Sequence, residues 1–374
     1  MNNHLYDRYQ RQILLKEFGT EAQAKLFNAK VLVIGAGGLG CPALQYLAAA
    51  GVGTIGIVDF DLIELSNLQR QTLYNTNDIG KHKTTVSAER INAFNPSIHI
   101  QTHTIQLNNT NAYNLIYNYD IVIDGTDNFS TKYLINDVCT ILQKPLIYGA
   151  ILRFEGQVSV FNLPNKQNIC TNYRDLFATP PLPNNVPTCN EAGVIGVLPG
   201  IIGTMQAAEA IKIITNIGEP LCNKILSYNV LNNKSYLFDI LPITHHSNNF
   251  PTTKTEIENF NYDWHCGLND TVTEIEFYEF EELRKNEEIK IIDVREEGEI
   301  PKVEAFSCIN IPLSNFVNKI QNIELTNRVV VFCQHGKRSI KAAQILKAKY
   351  NHLNIVSLKG GIVEWEKQFN DSIY

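Results

Sequence analysis

The run from Val31 to Gln71, VLVIGAGGLG…GIVDFDLIELSNLQRQ, constrains this chain more than any other stretch. A short apolar run ends in the G-x-G-x-x-G pattern GAGGLG, Gly35 to Gly40, and passes directly into an apolar stretch of helical length, Pro42 to Ala50. That order predicts strand, tight turn and helix. The glycines let phosphate approach backbone N–H groups at the helix N-terminus. Alone the motif is unspecific, because many nucleotide folds share it. The second half of the run is wrong for a dehydrogenase. Asp59 can anchor a ribose, but it is followed by Asp61 and then by the amide and guanidinium cluster Asn67, Gln69, Arg70 and Gln71. Such a cluster suits a triphosphate better than a nicotinamide.

The rest of the chain repeats the alternation of strand and helix. Residues 1–30 read as one amphipathic helix ending near Asn28. TIGIVD (Thr54–Asp59), IHIQTHTI (Ile98–Ile105) and YDIVIDGTD (Tyr119–Asp127) read as strands, and Thr84 to Phe94 as a helix stopped by Asn95-Pro96. GQVSVFNL (Gly156–Leu163) resembles an antiparallel strand, 164–190 a long polar loop, and Gly196 to Ile214 an apolar helix. The pattern predicts an α/β fold with a Rossmann-like, doubly wound sheet. Residues 1–245 form this domain, 246–274 a linker, and 275–374 a second, smaller α/β domain. Two to three domains suit 374 residues.

Composition excludes several classes. A net charge of −6 without basic runs argues against nucleic-acid binding. No stretch is apolar enough to predict a membrane span, and MNNHLYDRYQRQILL lacks a signal pattern, so a cytoplasmic protein is expected. Eight cysteines are too few for a disulfide scaffold.

Each candidate site residue has a plain alternative role. Asp59 can accept ribose hydroxyls or cap a loop. Arg70 can pair bidentately with phosphate, and Lys83 in GKHK adds a point charge; singly, either is more ordinary as solvated surface. Asp127 and Asn128 in DGTDN stand at a strand C-terminus, where a carboxylate can hold Mg²⁺ on phosphates or either residue can cap the following helix.

The ordered motifs RYQRQ (Arg8–Gln12), GAGGLG, VDFD, SNLQRQ, GKHKT, DGTDN and GVLPGIIG resemble those of the MoeB/ThiF/HesA family over roughly residues 1–245. The resemblance implies an enzyme that binds ATP and Mg²⁺ and adenylates the terminal glycine of a ubiquitin-like sulfur carrier ending in Gly-Gly. Carried over by motif, Gly35, Gly37, Gly38 and Gly40 cradle the nucleotide and Asp59 holds the ribose. Ser66, Asn67, Leu68, Gln69, Arg70 and Lys83 surround the phosphates, with Asn128 beside them, and Asp127 takes the metal. Arg11 reaches into a neighbouring subunit, which implies a homodimer. Attack of a carboxylate on the α-phosphate joins two anions, so placed cations stabilise the developing charge.

Cys189 follows the long polar loop and, by the same resemblance, is a candidate for thioester or acyl-disulfide chemistry. Relatives carry a structural zinc on two C-x-x-C pairs. Here Asn172 and Asp175 stand at the first pair, and Asp263 with Cys266 at the second, with Cys170 and His265 off register. No zinc is expected, and the tail crossing near residue 264 is expected to be held by packing alone. Cys41, Cys139, Cys222 and Cys308 read as core or incidental.

In the second domain, FCQHGKRS (Phe332–Ser339) reads as strand, cysteine, polar loop and helix start. Loop N–H groups, the helix N-terminus, Lys337 and Arg338 all favour the thiolate form of Cys333. A phosphatase loop needs C-x-x-x-x-x-R, but the position after five intervening residues is Ser339, so the arginine is one place early. With IIDVRE, INIPLSNF and LKGGIVEW, this region resembles a rhodanese domain, in which this cysteine carries a persulfide; EIPKVEAFSC departs from the pattern. Together the two resemblances imply adenylation followed by sulfur transfer to a thiocarboxylate, as in molybdopterin-synthase adenylyltransferase/sulfurtransferases, supplied by a donor such as a cysteine desulfurase. A thiamine-pathway carrier enzyme is the same-class alternative. An NAD-dependent oxidoreductase with a regulatory rhodanese tail is the alternative of another class.

Overall fold

The computed structural model describes residues 3–180, 193–243, 250–262, 272–286, 288–303, 305–320, 323, 325–350 and 353–371. The chain divides into two compact units, Met1–Tyr262 and Asp263–Tyr374.

The first unit is built on an eight-stranded sheet of order β3-β2-β1-β4-β5-β6-β7-β8. Strands β1 (Lys30–Ile34), β2 (Thr54–Val58), β3 (His99–His103), β4 (Ile121–Asp124) and β5 (Leu146–Leu152) are parallel. β6 (Glu155–Phe161), β7 (Lys224–Asn229) and β8 (Lys234–Asp239) continue antiparallel. Val31, Leu32 and Val33 are fully buried, as expected for a strand covered on both faces. The chain runs from β1 outward to β3 and then returns to the other side of β1 as β4. The crevice at the C-terminal ends of β1 and β4 is therefore the switch point, where open α/β sheets bind ligands.

Helices α3 (Gly40–Ala50), α4 (Lys83–Phe94) and α6 (Phe129–Leu142) follow β1, β2 and β4, with the short α5 (Ala112–Tyr117) between β3 and β4. The single N-terminal helix expected from the sequence is instead two, α1 (Asn3–Ile13) and α2 (Gly19–Asn28). Gly19 adopts φ +62°, a left-handed conformation that breaks the helical run between them. Tyr9 fixes α1: it is buried, meets Phe27 edge-on, and its hydroxyl accepts from Asn95 Nδ2 at 2.8 Å. The polar stretch after β6 contains a short helix, α7 (Tyr173–Leu176).

Helix α8 (Val197–Thr215) corrects the expectation that no stretch has the composition of a membrane span. Its 19 residues are long and apolar enough to cross a membrane by length and composition. Yet it packs against α3, β5 and β6, with Leu198, Ile202, Ala207 and Ala210 buried, as a core helix does. Part of the stretch expected to be linker is also folded: α9 (Lys254–Asn259) packs on α6 within the first unit.

The second unit holds a five-stranded sheet of order β11-β10-β12-β13-β9, in which every neighbouring pair is parallel. Its strands are β9 (Thr273–Ile275), β10 (Ile289–Asp293), β11 (Ile309–Asn310), β12 (Arg328–Phe332) and β13 (Asn354–Leu358). α10 (Phe277–Asn286), α11 (Phe316–Lys319), α12 (Lys337–Lys349) and α13 (Gly361–Asp371) complete it. The two faces of the central strand β12 feed two apolar clusters, one including Val329 and Val331, the other Val330 and Phe332.

Candidate active sites at two strand ends

The glycine loop lies at the end of β1, where sterics demand it. Gly35 adopts φ +91°, and a Cβ there would come within 2.8 Å of Gly125 O; a Cβ at Gly40 would lie 1.9 Å from Gly35 O. Between them, Ala36 is held from both sides. Its N–H donates to Asp59 Oδ2 at 2.8 Å, and its carbonyl accepts from Tyr74 Oη at 2.7 Å. Asp59 Oδ1 accepts the Asp61 N–H at 2.8 Å, so each carboxylate oxygen keeps lone-pair capacity for a hydroxyl. Burial raises the Asp59 carboxyl above its ordinary value, while Lys83 and these two N–H groups pull it back.

The cation and amide cluster is braced before any ligand arrives. Lys83 opens α4 almost fully buried, with its ammonium 2.7 Å from Asp61 Oδ2. Asn67 Oδ1 caps its own turn by accepting the Glu64 N–H at 3.2 Å, and Asn67 Nδ2 reaches Ser66 Oγ at 3.4 Å. Arg70 Nη1 donates to Ser66 O at 3.0 Å. Leu68 packs against the core, and Gln69 is exposed. The N-terminal turn of α8 closes this side: Cβ atoms at Gly38 and Gly196 would come within 3.1 Å of Pro199 and 2.1 Å of Gln69 O. This is the physical content of GVLPGIIG.

DGTDN contains two carboxylates with opposite fates. Asp124, the last residue of β4, is buried and paired with Lys132 at 2.8 Å; Lys132 also donates to Gly149 O at 2.9 Å and lies over the Tyr148 ring. Asp127 is exposed, and among the described residues its carboxylate has no partner. Asn128 caps α6, accepting from Thr131 N at 2.9 Å and Ser130 Oγ at 3.1 Å. An exposed, unengaged carboxylate at the switch point fits Mg²⁺, a hard cation. Asp124 and Lys132 carry no signal in the sequence, because their pairing forms only where strand and helix cross. Gln71, a member of the amide cluster, is buried beside Gly37, and its Oε1 has no partner among the described residues.

On α1, Arg8 Nη1 donates to Phe94 O at 3.0 Å and Gln12 Nε2 to Ala50 O at 2.9 Å. Arg11 points away, exposed and without a partner among the described residues. Cys189 lies outside the described residues. Burial raises the thiols of Cys41, to about 12, and Cys222, to about 11, and those of Cys139, Cys170 and Cys308 also rise, which disfavours nucleophilic roles for all five.

The residues at the first zinc-pair position do not fit that metal. Asn172 Oδ1 accepts the Arg174 N–H, while Asp175 accepts the N–H groups of Asn172 and Ile243, all at 2.8 Å. Oxygen ligands already engaged in a helix cap are poor substitutes for thiolates. Asp263, His265 and Cys266 lie outside the described residues. The crossing near residue 264 lies outside the described residues; up to Tyr262 the tail is held by an ion pair as well as by packing. Buried Arg174 clasps Asp137 with two 2.7 Å bonds and stacks 3.9 Å from the Phe250 ring, and Tyr262 Oη donates to Asp137 Oδ2 at 3.0 Å. An ion pair with aromatic cover joins α6, α7 and the returning tail.

In the second unit Cys333 stands at the C-terminal end of β12, only 1% exposed, before the loop that opens α12. Its Sγ lies 3.6 Å from Ser339 Oγ. The first turn of an α-helix such as α12 leaves N–H groups without an intrahelical partner; here Ile340 N–H donates to Gly336 O at 3.2 Å. Arg338 lies beside the sulfur, but Glu299 takes its guanidinium bidentately, and the carboxyl is held down at about 2. The departing segment 299–308 thus supplies a counter-charge to the loop. Arg295, clasped by Asp293, fixes it through Pro301 O at 2.8 Å, and Gln334 Nε2 donates to Ile300 O at 3.0 Å. Lys337 is exposed.

Residues 9–252 match the ThiF family, and residues 276–368 the rhodanese-like domain. The probable adenylyltransferase/sulfurtransferase MoeZ of Mycobacterium tuberculosis is 39% identical over 373 residues, covering 96% of this chain and 93% of that protein. A sulfur carrier protein adenylyltransferase of Thermus thermophilus is 48% identical over 228 residues, 60% of this chain and 83% of that protein. The crystal structure of E. coli MccB with ATP superposes with a TM-score of 0.54 at 25% identity, covering 64% of this chain and 72% of that one.

Proposed function

From the premise that this chain belongs to the ThiF family and carries a rhodanese-like domain, we propose that it is an adenylyltransferase and sulfurtransferase acting on a small ubiquitin-like sulfur carrier ending in Gly-Gly. The observation that carries this reading is the joining, in one chain, of a nucleotide site at the β1/β4 switch point and a buried cysteine at the end of β12.

The carrier's terminal carboxylate attacks the α-phosphate of ATP, and pyrophosphate leaves. Asp59 orients the ribose. Lys83, released from Asp61, and Arg70, released from Ser66 O, take phosphate charge. Asp127 holds Mg²⁺, which when bound offsets charge on the phosphates. Arg11 of a second copy supports the same phosphates, which makes the working unit a homodimer; its exposure on α1 supports this.

A persulfide on Cys333, loaded by a cysteine desulfurase-type donor, then attacks the activated acyl carbon and AMP leaves. A second thiol, for which Cys189 is the candidate, attacks the Cys333 sulfur of the resulting acyl disulfide. The acyl-side S–S bond breaks, and the thiocarboxylate leaves with the electron pair. A disulfide forms between the two cysteines, to be opened by a thiol reductant before the next turnover. The carrier is of the molybdopterin-synthase small-subunit type. A cytoplasmic setting is supported by the free thiols, which a reducing compartment preserves.

The test is ATP–pyrophosphate exchange on the full chain, with and without a purified Gly-Gly-ended carrier. Exchange that depends on the carrier is expected. No exchange with carriers of either the molybdopterin or the thiamine type overturns the reading.

A further inference from the structure

The charge beside Cys333 is largely committed elsewhere. Arg338 is shared with Glu299, Arg295 with Asp293, and Lys337 and His335 are exposed to water. Glu274, near Gly336, contributes a further negative charge, and Cys308 lies near Asp293. Arg338 reaches the sulfur only while shared with Glu299, so a thiolate at Cys333 gains from neutral donors beside it.

Two hydroxyls lie behind the sulfur, both fully buried. Ser339 sits in the first turn of α12, and Ser357 on the neighbouring strand β13. The Cys333 thiol donates to Ser339 Oγ at 3.6 Å; Ser339 Oγ donates to Gly336 O at 2.8 Å; Ser357 Oγ donates to Ser339 Oγ at 2.9 Å. A hydroxyl has one proton and two lone pairs, so this arrangement saturates Ser339 while the sulfur is a thiol.

We propose that Ser339 is a positioning residue for the Cys333 nucleophile, its proton turning from Gly336 O to the sulfur when the thiol ionises, with Ser357 keeping the oxygen oriented. Rotation about one Cβ–Oγ bond converts Ser339 from acceptor to donor, and no heavy atom moves. Ser339 also occupies the position at which a phosphatase loop has its arginine. A neutral donor there matches a singly charged sulfur rather than a phosphate. The step it serves is attack of the Cys333 thiolate on the sulfane sulfur of a donor. With thiosulfate, the Sγ–S bond forms, the donor S–S bond breaks, and its electron pair leaves with sulfite.

The inference rests on Cys333 being the sulfur carrier of the proposed function, and two readouts on the full chain separate them. The first is thiosulfate sulfurtransfer. The second is the pH midpoint of Cys333 alkylation by iodoacetamide, followed by mass spectrometry of the Cys333 peptide. Ser339→Ala is expected to raise the midpoint by about one pH unit and slow alkylation at pH 7 about tenfold, the worth of one hydrogen bond to a charged group. Ser357→Ala shifts it the same way by less, and Ser339→Thr restores it. An unchanged midpoint in Ser339→Ala, or an equal loss of rate at every pH, overturns the role of Ser339. If Ser339→Ala does not fold, Ser357→Ala decides by the same criterion. Wild-type chain lacking transfer, with a normal midpoint shift in Ser339→Ala, sinks the sulfurtransferase reading and spares the hydroxyl relay.

Discussion

The two strand ends handle negative charge in opposite ways. At the end of β1 and β4, ionic side chains stand ready: Lys83 is parked on Asp61, and Asp127 is free in solvent. At the end of β12, Arg338 is divided between Glu299 and the sulfur, and Ser339 Oγ, backed by Ser357 Oγ, lies 3.6 Å from the sulfur. Under the proposed function, the difference follows from the ligands. A triphosphate brings several charges and a metal, so re-pairing Lys83 from a carboxylate to a phosphate exchanges one ion pair for another. A thiolate brings one charge and is made in place. Hydroxyl dipoles beside a guanidinium already paired with Glu299 favour it without an unshared cation at the sulfur.

The largest test of that contrast is Asp127→Ala. Carrier-dependent ATP–pyrophosphate exchange should fall about 10²–10³-fold, as for other preorganised charge-stabilising groups, with thiosulfate transfer unchanged. Loss of both activities would show that the two ends do not act separately. Next is Lys83→Met, for which exchange should fall roughly 10- to 100-fold, the worth of a charged hydrogen bond. An unchanged rate would mean that Lys83 stays with Asp61 throughout. The smallest effect is expected for the double change Arg338→Met with Glu299→Gln, which should lower thiosulfate transfer less than about fivefold, since the pair is partly exposed. A loss exceeding that of Lys83→Met would reverse the contrast. Glu299 is depressed from 4.5 to about 2, so the pair's contribution is fully present above 4.5 and lost only as pH falls towards 2. Its removal should therefore not reshape the pH profile near neutrality.

Much of this was legible in the sequence. VLVIG, TIGIV and IVID are buried parallel strands because apolar runs of that length suit strands covered on both faces. The glycine loop and Cys333 follow from strand–turn–helix order. Local periodicity cannot show which carboxylate of DGTDN is neutralised, because Lys132 reaches Asp124 only after the strand and helix pack. The same holds for Ser357 behind Ser339, 18 residues on, and for Arg174 and Asp137, which are 37 apart. The division of residues 1–30 turned on one glycine whose conformation composition does not reveal.

The Arg174–Asp137–Tyr262 clasp has a consequence for how the protein is made. Synthesis runs from N- to C-terminus, and Asp137 precedes Tyr262 by 125 residues. At ordinary elongation rates the carboxylate waits roughly 6 to 25 s for its last partner. That partner is the final residue of the first unit, so the clasp shuts as the second unit begins to emerge. No ion has to be delivered to complete it. The nascent chain closes its own seam, in the order in which it is translated.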